Sequence, residues 1–127
     1  MPTIPEKPTL SCGVYIHFKS MNKRYIALAV AYAEQSKPLV LYRQLYAPYG
    51  FWVRPYRMFM EHVLLESGRR VRRFKPCKKR RLKERCLKVL LPLVGDKTAY
   101  ITHSETLERY YITSIAADGT VNLERLD

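Results

Sequence analysis

Residues 39–59 read LVLYRQLYAPYGFWVRPYRMF. Residues 39–45 form a β-rich apolar run of strand length. The turn YAPYG follows at 46–50, with Pro48 and Gly50 where turn chemistry favours them. Residues 51–54 are again short and strand-like and carry the chain's single tryptophan, Trp52. Residues 55–61 leave room for one helical or 3₁₀ turn before an apolar triplet at 63–65.

The flanking segments extend the same pattern. GVYIHFK at 13–19 alternates, with Val14, Ile16 and Phe18 on one face and Tyr15, His17 and Lys19 on the other. SMNKR at 20–24 reads as a polar turn, YIALAVAY at 25–32 as a strand, and AEQSKP at 33–38 as a second turn. Near the C-terminus, 97–103, 109–115 and 120–126 read as three strands of an antiparallel meander. Asp118-Gly119 supplies a hairpin signal between the last two. Strands at roughly ten-residue spacing with short polar turns predict a mainly β protein, a small barrel or sandwich.

GVYIHFK, then PLVLY and LY, then YGFWVRPYRMF resemble the DUF1653 domain family over about residues 13–75. The family shows motifs of the form Y-x-H-F-K, LVVY–LY and YG-x-W-V-R-P–MF in that order, and residues 52–55 match its most specific element. The resemblance implies an SH3-like small β-barrel and no assigned activity. The chain departs from the family in two places. The turn after Lys19 lacks glycines, and AEQSK at 33–37 stands where the family has an acidic turn. HSETLE at 103–108 looks like that acidic turn, which raises the alternative of a degenerate second barrel copy at 93–127.

The division expected from these readings has four parts. They are an extended proline-bearing lead at 1–9, a barrel at 10–68, a basic connector at 69–92 and the meander at 93–127. An apolar content of 47% in 127 residues is enough for one core. No run of eighteen apolar residues is present, so no membrane span is expected. The N-terminal segment lacks a charged region followed by an apolar one, so no secretion signal is read. Cys12, Cys77 and Cys86 are odd in number and lack metal-ribbon spacing. They predict inert thiols in a reducing cytoplasm, although Cys77 and Cys86 sit among cations that would lower a thiol pKa.

The net charge of +12 is concentrated. Residues 1–68 carry eight basic and four acidic side chains, residues 69–88 carry twelve and one, and residues 89–127 carry three and six. Twelve cations in twenty residues repel one another unless a polyanion compensates them, and six C-terminal acids are too few to do so. Non-enzymatic binding of RNA or DNA is therefore expected. Its phosphate contacts would come from Arg69, Arg70, Arg72, Arg73, Lys75, Lys78, Lys79, Arg80, Arg81, Lys83 and Arg85. A short amphipathic helix is read from Lys78 onward, with Leu82, Cys86 and Val89 at helical spacing and Pro92 as its end. Alone it would be marginal, so it must dock or order on a partner.

A second group is Tyr15, His17, Lys19, Tyr46, Tyr49, Trp52 and Arg54, with Tyr42 nearby, read as an aromatic, cationic surface for stacking bases or gripping a short peptide. The simpler assignment is that these rings fill a small core. An adaptor module for a peptide or acidic protein partner is the alternative function. A hydrolase or small-ligand binder using His17 comes last, because no nucleophile or orienting acid stands at suggestive spacing. The histidines at 17, 62 and 103 show no metal-binding pattern, so neither metal nor cofactor is expected. No feature specifies an oligomeric state.

Overall fold

A computed structural model describes residues 8–34, 36–77 and 83–127. The chain is mainly β, and its centre is a closed six-strand barrel. Ten strands and two helices are described, in the order β1 (Gly13–His17), β2 (Ser20–Ala33), β3 (Leu39–Gln44), β4 (Phe51–Pro55), α1 (Tyr56–Met60), β5 (His62–Leu64), β6 (Arg70–Arg72), β7 (Phe74–Pro76), α2 (Lys83–Leu90), β8 (Ile101–His103), β9 (Arg109–Ile115) and β10 (Val121–Arg125). A 3₁₀ turn, Leu91–Leu93, follows α2. No described helix is long and apolar enough to cross a membrane.

The strands of the decisive stretch occur where the sequence placed them. β3 pairs antiparallel with β2 and with β4, in registers that set Val40 opposite both Val30 and Arg54, and Tyr42 opposite Trp52. Leu39–Tyr42 is a continuous apolar run because both faces of β3 are covered. Leu39 and Leu41 point into the barrel with Val53, Ile101, Ile112, Val121 and Leu123. Val40 and Tyr42 point outward into a second cluster with Tyr15, Ala27, Phe59 and Phe74.

Closure uses both ends of the chain. β2–β3–β4 continues through β8, β9 and β10, and β10 returns to pair in parallel with the end of β2, Val121 opposite Ala31 and Leu123 opposite Ala33. β4 and β8 are also parallel, with Trp52 opposite Thr102. A parallel pair needs a long crossover, and here it contains α1, the β5–β6 hairpin, β7 and α2. The C-terminal meander therefore supplies three staves of one barrel. It is neither a separate unit packed beside a barrel finished at residue 68 nor a second copy. The 14 residues of β2 make this feasible. Its first half pairs with β1, its last residues pair with β10, and a bulge between Ala27 and Ala29 bends it between the two.

Other expectations shift locally. The turn assigned to 20–24 falls at Phe18 and Lys19, and Ser20–Arg24 belongs to β2. Polar composition does not separate a turn from a strand end that projects into water. The basic segment is also not one connector. Its first half is β6 and β7, paired with β5 and β1, and α2 begins only at Lys83. α2 docks as required, burying Cys86 and Leu90 in the barrel core with Val89 packed against it. Pro92 falls in the first turn of the 3₁₀ segment, where a missing N–H costs nothing.

Candidate nucleic-acid interface

The β1–β7 pairing places Lys75 opposite Ile16 and Phe74 opposite His17. The Phe18 N–H donates to the Arg73 carbonyl at 3.0 Å, so the tip of the β1–β2 hairpin is fastened to the basic segment. Lys19 Nζ and the Arg73 guanidinium lie 5.9 and 5.8 Å from the centre of the Phe18 ring. Arg69, Arg70 and Lys75 are exposed, and Arg72 lies half-buried with Nη2 3.6 Å from Met60 Sδ. One cation of this set is answered internally, since Arg73 Nε donates to Glu61 Oε1 at 2.6 Å. Arg85 and Lys88 are exposed on α2. Lys78, Lys79, Arg80 and Arg81 lie outside the described residues, as does the side chain of Lys83.

His17 sits between the rings of Phe18 and Phe74, with centroids 4.9 and 5.0 Å away. Its Nδ1 accepts the Lys19 backbone N–H at 3.1 Å, which leaves Nε2 to carry the proton of the neutral ring. Burial holds its pKa below the ordinary imidazole value, and the charges of Arg54, Arg73 and Lys19 lower it further. The charged groups acting on this histidine are three cations, and no orienting carboxylate is among them.

Arg54 lies at the centre of the outer cluster. Its guanidinium stands 5.4 Å from the centre of the Phe74 ring and hydrogen-bonds the Tyr42 hydroxyl, while its Nε is buried without a partner. Burial raises the Tyr42 pKa against the opposing pull of Arg54. Tyr25 and Tyr46 share a hydroxyl–hydroxyl hydrogen bond of 2.7 Å, and burial followed by that bond pushes the Tyr25 pKa up.

The members of the aromatic group thus separate. Tyr15 is 2% exposed, stands edge-on to Phe59 at 5.2 Å and donates its hydroxyl to the Ser11 carbonyl at 2.7 Å. It is a core residue and not part of a surface. Alternation gave the right pleat, but the face expected to meet water is the one roofed by Phe59 and Phe74. His17, Lys19, Tyr46 and Arg54 gather around the β1–β2 hairpin and the rim of the outer cluster. Tyr49 belongs to a different place, the turn after β3, and Trp52 on β4 packs against the outer cluster while its indole N–H reaches that turn.

Gln44 organises that turn. Its Oε1 accepts the Gly50 N–H and the Trp52 Nε1–H, both at 3.1 Å, and its own N–H donates to the Gly50 carbonyl at 3.0 Å. Tyr49 is half-exposed at a positive φ of 59°, a conformation uncommon for a non-glycine residue. Its carbonyl accepts Arg43 Nε at 3.0 Å, and the Arg43 guanidinium rests 4.8 Å from the centre of the Phe51 ring. Beside the turn lies a shallow groove of about 520 Å³, lined by Trp52, Tyr100, Thr98, Thr102 and Arg109 among others. The Arg109 guanidinium stands 4.2 Å from the centre of the Tyr100 ring.

The sequence reading missed Phe18, Lys23, Arg43, Tyr100 and Arg109. Lys23 and Arg43 lie over the rings of Tyr46 and Phe51, so these cations stand on aromatics well outside the basic segment. No local signal brings Tyr100 and Arg109 to Trp52, because the β4–β8 pair that does so joins residues 50 apart. The Cys86 thiol is pushed up, not down, by its hydrogen bond with Cys12 and then by burial. Among the described residues no three His, Cys, Asp or Glu side chains are grouped to hold a metal ion.

The model of the family described as a protein of unknown function, DUF1653, matches residues 13–76, half of the chain. No curated protein and no solved structure matches it. The matched region spans β1 to β7 and so holds three of the six barrel staves.

Proposed function

We propose that this chain, which belongs to the DUF1653 family, binds nucleic acid along the cationic edge made by β1, the β1–β2 hairpin and β6–β7. The carrying observation is the β1–β7 pairing, which fastens Arg73 against the His17–Lys19 hairpin and sets the exposed Lys75 opposite Ile16. Cations from separate segments meet here, and Arg54, Arg73 and Lys19 add to burial in lowering the His17 pKa. A polyanion laid on this edge neutralises the cations and releases its own counterions, which gives affinity with strong salt dependence. Contacts of this kind position a backbone without reading base sequence. Reaction chemistry at His17 gains no support, because its charged neighbours are all cations.

Fluorescence anisotropy with labelled RNA and DNA at several salt concentrations tests the assignment. Each lost phosphate contact lowers the slope of log K against log salt by about 0.9 on duplex and about 0.7 on single strands. Replacing Arg69, Arg70 and Lys75 together with alanine is therefore expected to lower the slope by about 2.7 on duplex and about 2.1 on single strands. An unchanged slope rejects the assignment. Recovery of one stoichiometric acidic protein after nuclease treatment would give the same edge to a protein partner instead.

A further inference from the structure

We infer that the groove beside the 45–50 turn is a subsite for one unpaired base of a single-stranded nucleic acid, walled by Trp52 and Tyr100 and closed on its charged side by Arg109. The inference rests on the nucleic-acid reading above and adds to it which strand form is taken and where a base is held.

The groove offers ring faces more than polar edges. The Trp52 indole N–H is already donated to Gln44 Oε1, so what remains of this side chain for a ligand is the part of its π surface not packed against the outer cluster. Tyr100 is 43% exposed, more than a ring filling a core would be. Arg109, stacked 4.2 Å from the Tyr100 ring centre, can stay on that ring while its N–H groups face a phosphate. The volume of about 520 Å³ falls within the range of small-ligand clefts, about 300–1,000 Å³. Thr98 and Thr102 supply hydroxyls at the lining, and none of the lining residues is acidic.

Charge selects the occupant. A proline-rich peptide would also fit between aromatic walls, but it has no need of the cations that flank this groove. Arg43 lies over Phe51, itself a lining residue, and Arg109 over Tyr100. A base paired in a duplex has no free face to offer, so the walls select an unpaired one.

The groove is also joined to the cationic edge by a run of ring contacts. His17 meets Phe74, Phe74 meets Tyr25, and Tyr25 meets Tyr46 under Lys23. From Tyr46 the 45–50 turn leads directly into Phe51 and Trp52.

Trp52 is the only tryptophan in the chain, so its emission reports on the groove alone. The experiment compares a thymidine oligonucleotide with an abasic strand of equal length, in parallel with anisotropy. The base-bearing strand is expected to quench Trp52 and to bind about 5- to 150-fold more tightly than the abasic one. Tyr100→Ala and Arg109→Ala, both at exposed positions, should shrink that ratio and the quench while leaving the circular dichroism spectrum unchanged. If both strands bind alike and emission is unmoved, the groove assignment falls and the phosphate assignment stands. If neither strand binds, the phosphate assignment falls, and uridine monophosphate at millimolar concentration then decides the groove. Saturable quenching lost in Tyr100→Ala upholds it, and no quenching overturns it. A shift of Trp52 emission by a proline-rich peptide, with none by nucleotides, also overturns it.

Discussion

β2 and β3 supply alternate residues to two faces of the sheet, inside and outside the barrel, yet the faces differ in kind. The inner face is aliphatic, with Leu39, Leu41, Val53, Ile101, Ile112 and Val121 sealed below by Cys86 and Leu90 of α2. The outer face is aromatic, with Phe59 stacked on Phe74 at 4.3 Å and 8° between Tyr15, Tyr25, Tyr42 and His17. Among the described residues it is roofed by a five-residue helix and a three-residue strand, with Leu10 packed against it. Aliphatic side chains close against one another and leave nothing at a rim. Rings reach further and carry polar ends, so a short roof leaves Tyr46, His17 and the cations above them partly in water. One face is therefore scaffold alone, while the other is scaffold inside and surface at its edge.

The strongest way to break this contrast is Phe74→Ala, which removes the ring touching Tyr25, Tyr42, Phe59 and His17. Loss of about 3–5 kcal/mol is expected in urea denaturation, as large as for an inner-face leucine such as Leu41→Ala. A cost below about 1 kcal/mol, ordinary for a point mutation, would mean that the outer cluster is no core.

Gln44→Leu is expected to cost less, about 1–3 kcal/mol, because it strands the Trp52 and Gly50 N–H groups without their acceptor. Trp52 emission should move with it. A change within about 0.5 kcal/mol, as at an uninvolved surface site, would show that the turn holds itself without Gln44.

The smallest effect sits at His17. Its folded pKa is lowered, so between that value and its ordinary value near 6.5 the unfolded chain holds more protons. Its contribution to stability is complete above about 6.5 and is lost as pH falls through that window. Arg54→Met should raise the His17 pKa in an NMR titration by removing the nearest cation in order of effect. An oligonucleotide on the proposed edge should raise it too, and affinity should then climb as pH drops from 7 to 6. A His17 titration indifferent to both would separate this residue from the cationic edge.

Legibility followed the range of the interactions concerned. The strands of residues 39–54 were readable because apolar runs and turn residues are local signals, and helix α2 was readable from the spacing of Cys86 and Val89. The depth of Tyr15 was not, because a period of two gives two faces without saying which one is roofed. The basic segment was read as a connector, since charge masks strand propensity. Phe74, buried from its first half in the outer cluster, was the available hint that part of it is a strand.

By itself the sequence determined that this protein is mainly β, with short strands, the motifs of the DUF1653 family and an uneven, dense cationic charge. Those properties follow from residue type, spacing and turn chemistry, all of which act over a few residues. Only the tertiary structure decided that the C-terminal strands close the barrel, that the basic segment pairs with β1 with Phe74 opposite His17, and that Tyr100 and Arg109 line one groove with Trp52. Strand pairing couples residues tens of positions apart through backbone hydrogen bonds, which every residue but proline can make, so no side-chain pattern announces the partner.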